Sequence, residues 1–548
     1  MSHDDSHGSG GGGGHGSGKD GHGGPQSMDE RIRQLPSIFH LQETVQAGVG
    51  EETISVSETI STAASLYEKL RNVLEYEEEH LLRRNAIRRV LKRRLAENTD
   101  AHALAKDLMT ELIWARYLPN GVVPVSVLLS IADVLVKYNP LVNAVNTAHD
   151  PTYAYAWILD IMANEVESKV APPTREDALA SFMFRVIAEH IEWQKGSVPE
   201  SERELQLYLA VYRTLLKADI ARLRSRVFFL YHPEWKKDLS EAQAEAIAGQ
   251  LDAVIASIDN QVKHPIAEQL SRQVGRYSVL FNVLFDVVAK APDAFLGIAA
   301  DSHGLDASVK QAATERIKTF AGRKRNRVLR AIIFLFFTKM LLALAIELPY
   351  DLLISHTTSF LPLAVNIIFP PFLLAAIALT SGVSQKQVKE IQKGVRAIVY
   401  HSGELKLIFR VKKPWGQGTM AVIFGIFYVA TFLFTYGAIG SLLIALGFNA
   451  ISTGIFLLFL SLVTFFGIRI RQSSKEVIVP SSKTSLVGSL IDVFTLPILR
   501  AGRWISLRTP RINVFLFFMD FIIEAPFKMA IEVVESWLAF VREKKEET

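Results

Sequence analysis

The sequence predicts an all-α membrane protein, and three observations predict it. From Trp415 to Ile468 there is no Asp, Glu, Lys or Arg, and basic clusters at Lys412/Lys413 and Arg469/Arg471 flank the stretch. One crossing of a bilayer takes about 20 apolar residues, so this stretch is long enough for two crossings joined by a short uncharged turn. A second apolar region, Val328 to Thr380, is interrupted between Pro349 and Ser359 by polar and turn-forming residues and reads as another pair. From about Met28 to Gly322 apolar residues recur at helical spacing with charged faces between them. Turn signals such as Leu118-Pro119-Asn120-Gly121 and Ala171-Pro172-Pro173-Thr174 separate those helices.

These patterns divide the 548 residues into four parts. Residues 1–27 form a disordered tail rich in Gly, His and Ser, whose histidines could chelate a divalent metal only in passing. Residues 28–322 form a cytoplasmic all-helical domain. Residues 323–470 form a membrane domain of four helices, at about 328–348, 360–380, 418–437 and 449–468. Residues 471–548 hold amphipathic or half-inserted helices on the cytoplasmic side and a charged tail.

Orientation follows from the basic residues. Arg323, Lys324, Arg325, Arg327 and Arg330 precede the first span, a run from Lys386 to Lys413 separates the second and third, and Arg469, Arg471 and Lys475 follow the fourth. The loop between the first two spans and the turn from Gly437 to Asn449 carry no Lys or Arg. Both termini are therefore expected in the cytoplasm, with the protein a multi-pass component of the cell membrane.

In the helical domain, Ser201 and Ser240 precede acidic first turns and read as helix starts, the second opening a run from Glu241 to Ile258. The apolar run Tyr277 to Val288 reads as a core helix. The sharpest local pattern sets Glu75 to His80 before Arg83, Arg84, Arg88, Arg89 and Arg93. Glu77 and His80 have the spacing of a helical di-iron ligand pair, but no second copy exists to complete such a site. The arginines could bind a partner or grip phosphates, and acidic residues early with basic residues late also suit the helix dipole.

The first span carries Lys339 near its centre, where a charge costs about 2.5–3.5 kcal/mol, so it should face protein or water. Asp492, Asp520 and Glu524, in apolar surroundings, are candidate ion-pair partners. The second span holds Asn366 and the pair Pro370-Pro371, expected to bend the helix. After it, Val388, Ile391, Val395 and Ile398 fall on one side of a helix and Lys386, Lys389, Lys393 and Arg396 on the other, the pattern of a basic helix lying on the anionic inner leaflet. Leu405 to Lys412 alternates apolar and basic residues like a short strand. Arg500, Arg503, Trp504 and Arg508 are expected to anchor a bend at the interface.

There is no cysteine, which excludes thiolate chemistry, Cys-ligated metals and disulfides. No nucleophile elbow or complete metal-ligand pattern occurs, so no cofactor and no enzymatic activity are expected. The near-balanced net charge of +4 gives no reason to expect nucleic acid as a partner. The expectation is a non-enzymatic membrane anchor or scaffold whose helical domain binds a protein partner or self-associates. The alternative is a transporter or channel built around Lys339, Asn366 and Pro370-Pro371.

Overall fold

The computed structural model runs over residues 1–548 and describes 28–41, 45, 48, 51–56, 79–95, 100–194, 198–237, 239–342, 349, 360–379, 385–400, 407–409, 419–473 and 495–505. Among these the protein is mostly helical, as the periodicity predicts, with one two-stranded sheet. Two separate hydrophobic clusters organise the described residues. The larger draws on helices between Ile32 and Ala313 and again on Val388 to Phe409, whereas the smaller joins Leu443, Phe448, Phe456, Leu460 and Ile498.

The larger core is built around two long helices. Pro151–Val170 starts where the Asp150 carboxylate accepts from the Tyr153 amide, with proline in the first turn, where its missing N–H costs nothing. It buries Trp157, Ile158, Ile161, Met162 and Val166. Ala267–Lys290 buries Leu270, Val274, Phe281 and Val288 at helical spacing against Glu200–Leu215, so the run from Tyr277 to Val288 is a core helix as expected. Each such fully buried side chain is worth about 1.5–3 kcal/mol relative to exposure.

Local signals hold unevenly. Ser240 caps its helix with a reciprocal Gln243 bond, but the helix stops at Ala248 and a second, Leu251–Val262, follows Gly249 and Gln250. The other start falls two residues earlier than expected, with Pro199 rather than Ser201 at the cap. The short strand appears as Leu407–Phe409, which pairs in parallel with Ile191–Trp193 and sets Phe409 edge to face with Trp193, ring centroids 5.2 Å apart.

One helix links the two clusters. Ser302–Leu342 runs unbroken for 41 residues. Its first part buries Leu305, Val309, Ala312 and Ala313 in the larger core, and further along it leaves Leu329, Ile333, Phe336 and Met340 exposed along one face. Against it packs Phe360–Leu379, which in turn packs on Ala450–Ser473. The Pro370-Pro371 pair lies inside Phe360–Leu379, and the helix continues through it.

Three stretches have the length and apolarity to cross a membrane, Ser126–Thr147, Gly425–Ala445 and Ala450–Ile468, and Pro362–Ile377 is a shorter apolar helix. Packing sets the first apart. It consists of two helices, Ser126–Lys137 and Asn139–Ala144, whose Ile131, Val134, Leu135 and Leu141 lie inside the larger core. The helix that starts at Thr419 runs to Ala445, past Gly437, where the expected turn begins. The chain turns within the later part of that range, at Gly447, whose φ of +85° is the left-handed conformation glycine tolerates. The Phe448 amide there bonds back to the Leu443 carbonyl, and Asn449 caps the next helix through the Ser452 amide.

Candidate functional site

Four places concentrate charge or exposed apolar surface, and the arginine-rich helix comes first. On Glu79–Arg94, Arg83 bonds Glu167 at 3.1 Å, Arg84 grips both oxygens of Asp219, and Arg93 reaches both oxygens of Glu111 at 2.6 Å. Arg88 Nε lies 2.7 Å from Asp160, an ion pair off the line of a hydrogen bond, and Arg89 also has an intramolecular partner. Arg83, Arg84, Arg88 and Arg93, offered by sequence to a partner or phosphate, are thus engaged with this chain's own carboxylates, which tie the helix to Pro151–Val170 and its neighbours. Glu77 lies outside the described residues, as do the side chains of Glu79 and His80.

Beneath them is a buried polar network around Asp259. Its carboxylate accepts from Arg224 Nε at 2.7 Å, Arg224 Nη2 at 2.9 Å, Lys263 at 2.6 Å, Trp157 Nε1 at 3.3 Å and the Tyr153 hydroxyl. Burial pushes this carboxyl up, and the donors outweigh that, holding it at about 2. A second buried acid, Glu165, accepts from Tyr138 at 2.8 Å, from the Trp235 indole at 3.2 Å and from Lys137. Burial raises the Tyr138 phenol well above its ordinary value. Asp259 receives five protein hydrogen bonds and Glu165 three, so both buried acids are held by this chain's own donors. Among the described residues no cluster of three or more His, Asp or Glu could hold a metal ion. His190 contacts the Val186 carbonyl and His232 contacts Glu234.

The basic helix Gln385–Val399 has the amphipathic pattern read from sequence, but its apolar side is covered by protein. Ile391 and Val395 are fully buried, and Val388 and Ile398 join them in the larger core against Ala267–Lys290 and Ser302–Leu342. Gly394 sits so near Leu280 that an added Cβ would come within 2.5 Å of it. Arg396 pairs with Asp306, Gln392 donates to the Asp306 carbonyl at 2.9 Å, and Tyr400 donates to the Ala299 carbonyl at 2.9 Å. The apolar side of this helix is therefore covered by protein, since amphipathicity reports that a face is covered, not what covers it. Lys389 and Lys393 stand exposed on the other side, and the Lys386 side chain lies outside the described residues.

The smaller cluster carries a belt of outward-facing apolar side chains. Ile426, Phe427, Leu433 and Phe434 on Thr419–Ala445 are exposed, as are Ile368 and Phe372 on Phe360–Leu379. Its interior holds small hydroxyl residues, Ser452, Ser461 and Thr464, together with Asn366. The Lys339 side chain and the residues Asp492, Asp520 and Glu524 lie outside the described residues.

The fourth place is a groove that sequence reasoning missed. Tyr428, Phe432 and Tyr436 recur every fourth residue, with Phe432 and Tyr436 stacked at a centroid distance of 4.6 Å. Leu457, Leu458 and Ser461 form the second wall, and a helix over residues 495–505 forms the third. The groove encloses about 860 Å³. Tyr436 and Ser461 share a 2.6 Å hydrogen bond, while the Arg500 guanidinium lies over the Tyr428 ring at 4.7 Å. At Gly502 an added Cβ would come within 2.2 Å of the Ser461 carbonyl oxygen, so only glycine lets this helix sit so close. Arg503 and the exposed Trp504 complete the rim. The aromatic spacing of four and the Arg-Ala-Gly-Arg-Trp run were visible in sequence, but nothing local brings them together.

No protein family matches the chain, and searches of characterised proteins and of solved structures find no significant match.

Proposed function

We propose that this protein is a non-enzymatic multi-pass membrane anchor that carries a helical partner-binding or self-associating unit on the cytoplasmic side of the cell membrane. One observation carries the reading. The helices around the smaller cluster turn large apolar side chains outward, with Phe372, Ile426 and Phe434 each about two-thirds exposed, whereas soluble proteins rarely leave a contiguous patch of that kind uncovered. Hydrocarbon is the surrounding that such a belt fits, and small hydroxyl residues inside fit helices that associate in lipid.

Four spans, at 328–348, 360–379, 419–445 and 450–468, and cytoplasmic termini agree with the basic residues that flank them. The unbroken Ser302–Leu342 helix and the return of Gln385–Val399 into the larger core would fasten the helical unit rigidly to the membrane part. Lys386, Lys389 and Lys393 then face anionic headgroups as charges, without an inserted apolar face. A rival reading as a solute or ion conduit draws on the buried Asn366 and on Pro370 and Pro371, which remove the helical donors of the Asn366 and Ile367 carbonyls.

Membrane extraction and thiol labelling test the anchor. The full-length chain should remain with membranes in alkaline carbonate. Leu446→Cys should react with an impermeant thiol reagent in intact cells, and Ser402→Cys only after permeabilisation. Release by carbonate, or labelling of Ser402→Cys in intact cells, would refute the reading. A detergent-solubilised complex well above the chain's own 61.1 kDa, with no flux in vesicles, separates scaffold from conduit.

A further inference from the structure

We infer that the groove between Thr419–Ala445, Ala450–Ser473 and the helix over 495–505 binds one anionic glycerophospholipid, with its acyl chain along the aromatic stripe and its phosphate on Arg500 and Arg503. The inference rests on the membrane reading above and adds a specific site to it. The walls are apolar and aromatic, and a few polar groups converge at one end, the composition of a ligand site. The hydroxyl protons in the wall are used internally, Tyr436 donating to Ser461 and Ser461 to the Leu457 carbonyl at 2.7 Å, so the floor offers little to water.

Charge selects the occupant. Among the described residues neither Arg500 nor Arg503 has a carboxylate partner, and Arg500 rests on an aromatic face instead. Guanidiniums beside an apolar wall favour an anion, and phosphate accepts their paired donors in the geometry that Arg presents. A choline headgroup would bring its ammonium toward the same arginines, so an acidic lipid is preferred over a zwitterionic one.

Dimensions agree. Tyr428 and Tyr436 are eight residues apart, about 12 Å of helix rise, against roughly 15 Å for one leaflet's hydrocarbon. The exposed Trp504 beside the two arginines has the amphipathic character of a headgroup-level residue. Gly502 locks the third wall onto the Ser461 backbone, so the groove is built into the packing and does not depend on side-chain rearrangement.

Native mass spectrometry of the delipidated full-length protein tests this, with phosphatidylglycerol and phosphatidylcholine of identical chains offered together. The protein should retain one phosphatidylglycerol with about a tenfold preference, the effect of one or two charge-assisted hydrogen bonds. The R500Q/R503Q variant should bind both lipids alike. Leu458→Trp, at a half-exposed position lining the groove, should exclude both while leaving the melting temperature unchanged.

Equal retention of the two lipids by the unmodified protein, or a preference that survives R500Q/R503Q, overturns the site. Displacement of the lipid by equimolar glycerol phosphate would assign the arginines to a free phosphate instead. Lipid uptake only after D520N/E524Q would show that the chain's own C-terminal segment fills the groove, and would equally overturn the proposal. Liposome partition of the same samples separates the two readings. Partition without lipid selectivity refutes the groove alone, and loss of partition refutes the membrane reading as well.

Discussion

Around Pro151–Val170 the large side chains point inward, so Trp157, Phe228 and Trp235 are buried and meet edge to face. Along Thr419–Ala445 the arrangement is inverted: Phe434 is 65% exposed, whereas Ser461 on the neighbouring helix is 1% exposed. Both regions are helical and apolar, and they differ in what each helix turns toward its neighbour. In the larger core water drives the burial of bulky residues and charges are held in saturated networks. In the smaller one some bulky residues, such as Phe448 and Phe456, pack inside, while others such as Ile426 and Phe434 stay largely exposed and Ser461 and Thr464 lie buried. Hydropathy alone cannot tell these cases apart, as Ser126–Thr147 demonstrates by meeting the length and composition of a span while lying partly inside the larger core.

The largest expected effect lies in the buried network. Arg224→Leu removes the principal donor to Asp259 and a partner of Asp160, and should cost about 3–5 kcal/mol in thermal or denaturant unfolding, because charges stay behind uncompensated. Adding Asp259→Asn should recover part of that loss. A cost below 1 kcal/mol for Arg224→Leu would mean that the network is not as closed as its geometry indicates.

A matched pair of truncations sharpens the contrast. Ile391→Ala, at a fully buried site, should destabilise by about 2–5 kcal/mol, whereas Ile426→Ala, 65% exposed, should change stability in detergent by less than about 0.5 kcal/mol. Equal costs would show that Ile426 is covered by protein and that the outward belt is an interface between chains.

Gly502→Ala comes next. Its Cβ meets backbone, which cannot rotate away, so the helix over 495–505 should lift from Ala450–Ser473 at a cost of about 1–3 kcal/mol, with loss of the groove. Gly394→Ala meets the side chain of Leu280 and should be milder. Unaltered proteolysis near residue 502 in Gly502→Ala would contradict this packing.

The smallest effect is acid sensitivity. The Asp259 carboxyl is held at about 2, below its unfolded value of about 4. Its ionisation therefore adds stability that is present above pH about 4 and lost as the pH falls toward 2. Asp259→Asn should flatten the stability profile in that window, and a profile parallel to the unmodified protein's would remove Asp259 from the account.

The helical class, the apolar segments and the capping at Ser240 were legible in the sequence because each depends on neighbours within a turn or two. So was the amphipathic face of Gln385–Val399. The turn expected between Gly437 and Asn449 narrows to its last residues, because glycine permits a turn without requiring one and the left-handed ending falls at Gly447. The engagement of Arg83, Arg84, Arg88 and Arg93 was hidden because their carboxylates come from Glu167, Asp219, Asp160 and Glu111, most of them far along the chain.

Composition and periodicity by themselves determined that the chain is helical, that it lacks thiol chemistry and which segments are apolar enough for a membrane, since these are sums over local residues. Only the tertiary structure decided which apolar faces are covered by protein: Val388, Ile391 and Val395 inside the larger core, Ile426 and Phe434 outside the smaller one. It alone set Arg500 over Tyr428, 72 positions apart. Local sequence dictates a face and its period, but the partner of that face is chosen by long-range packing, where the free energy depends on contacts that no window of neighbouring residues contains.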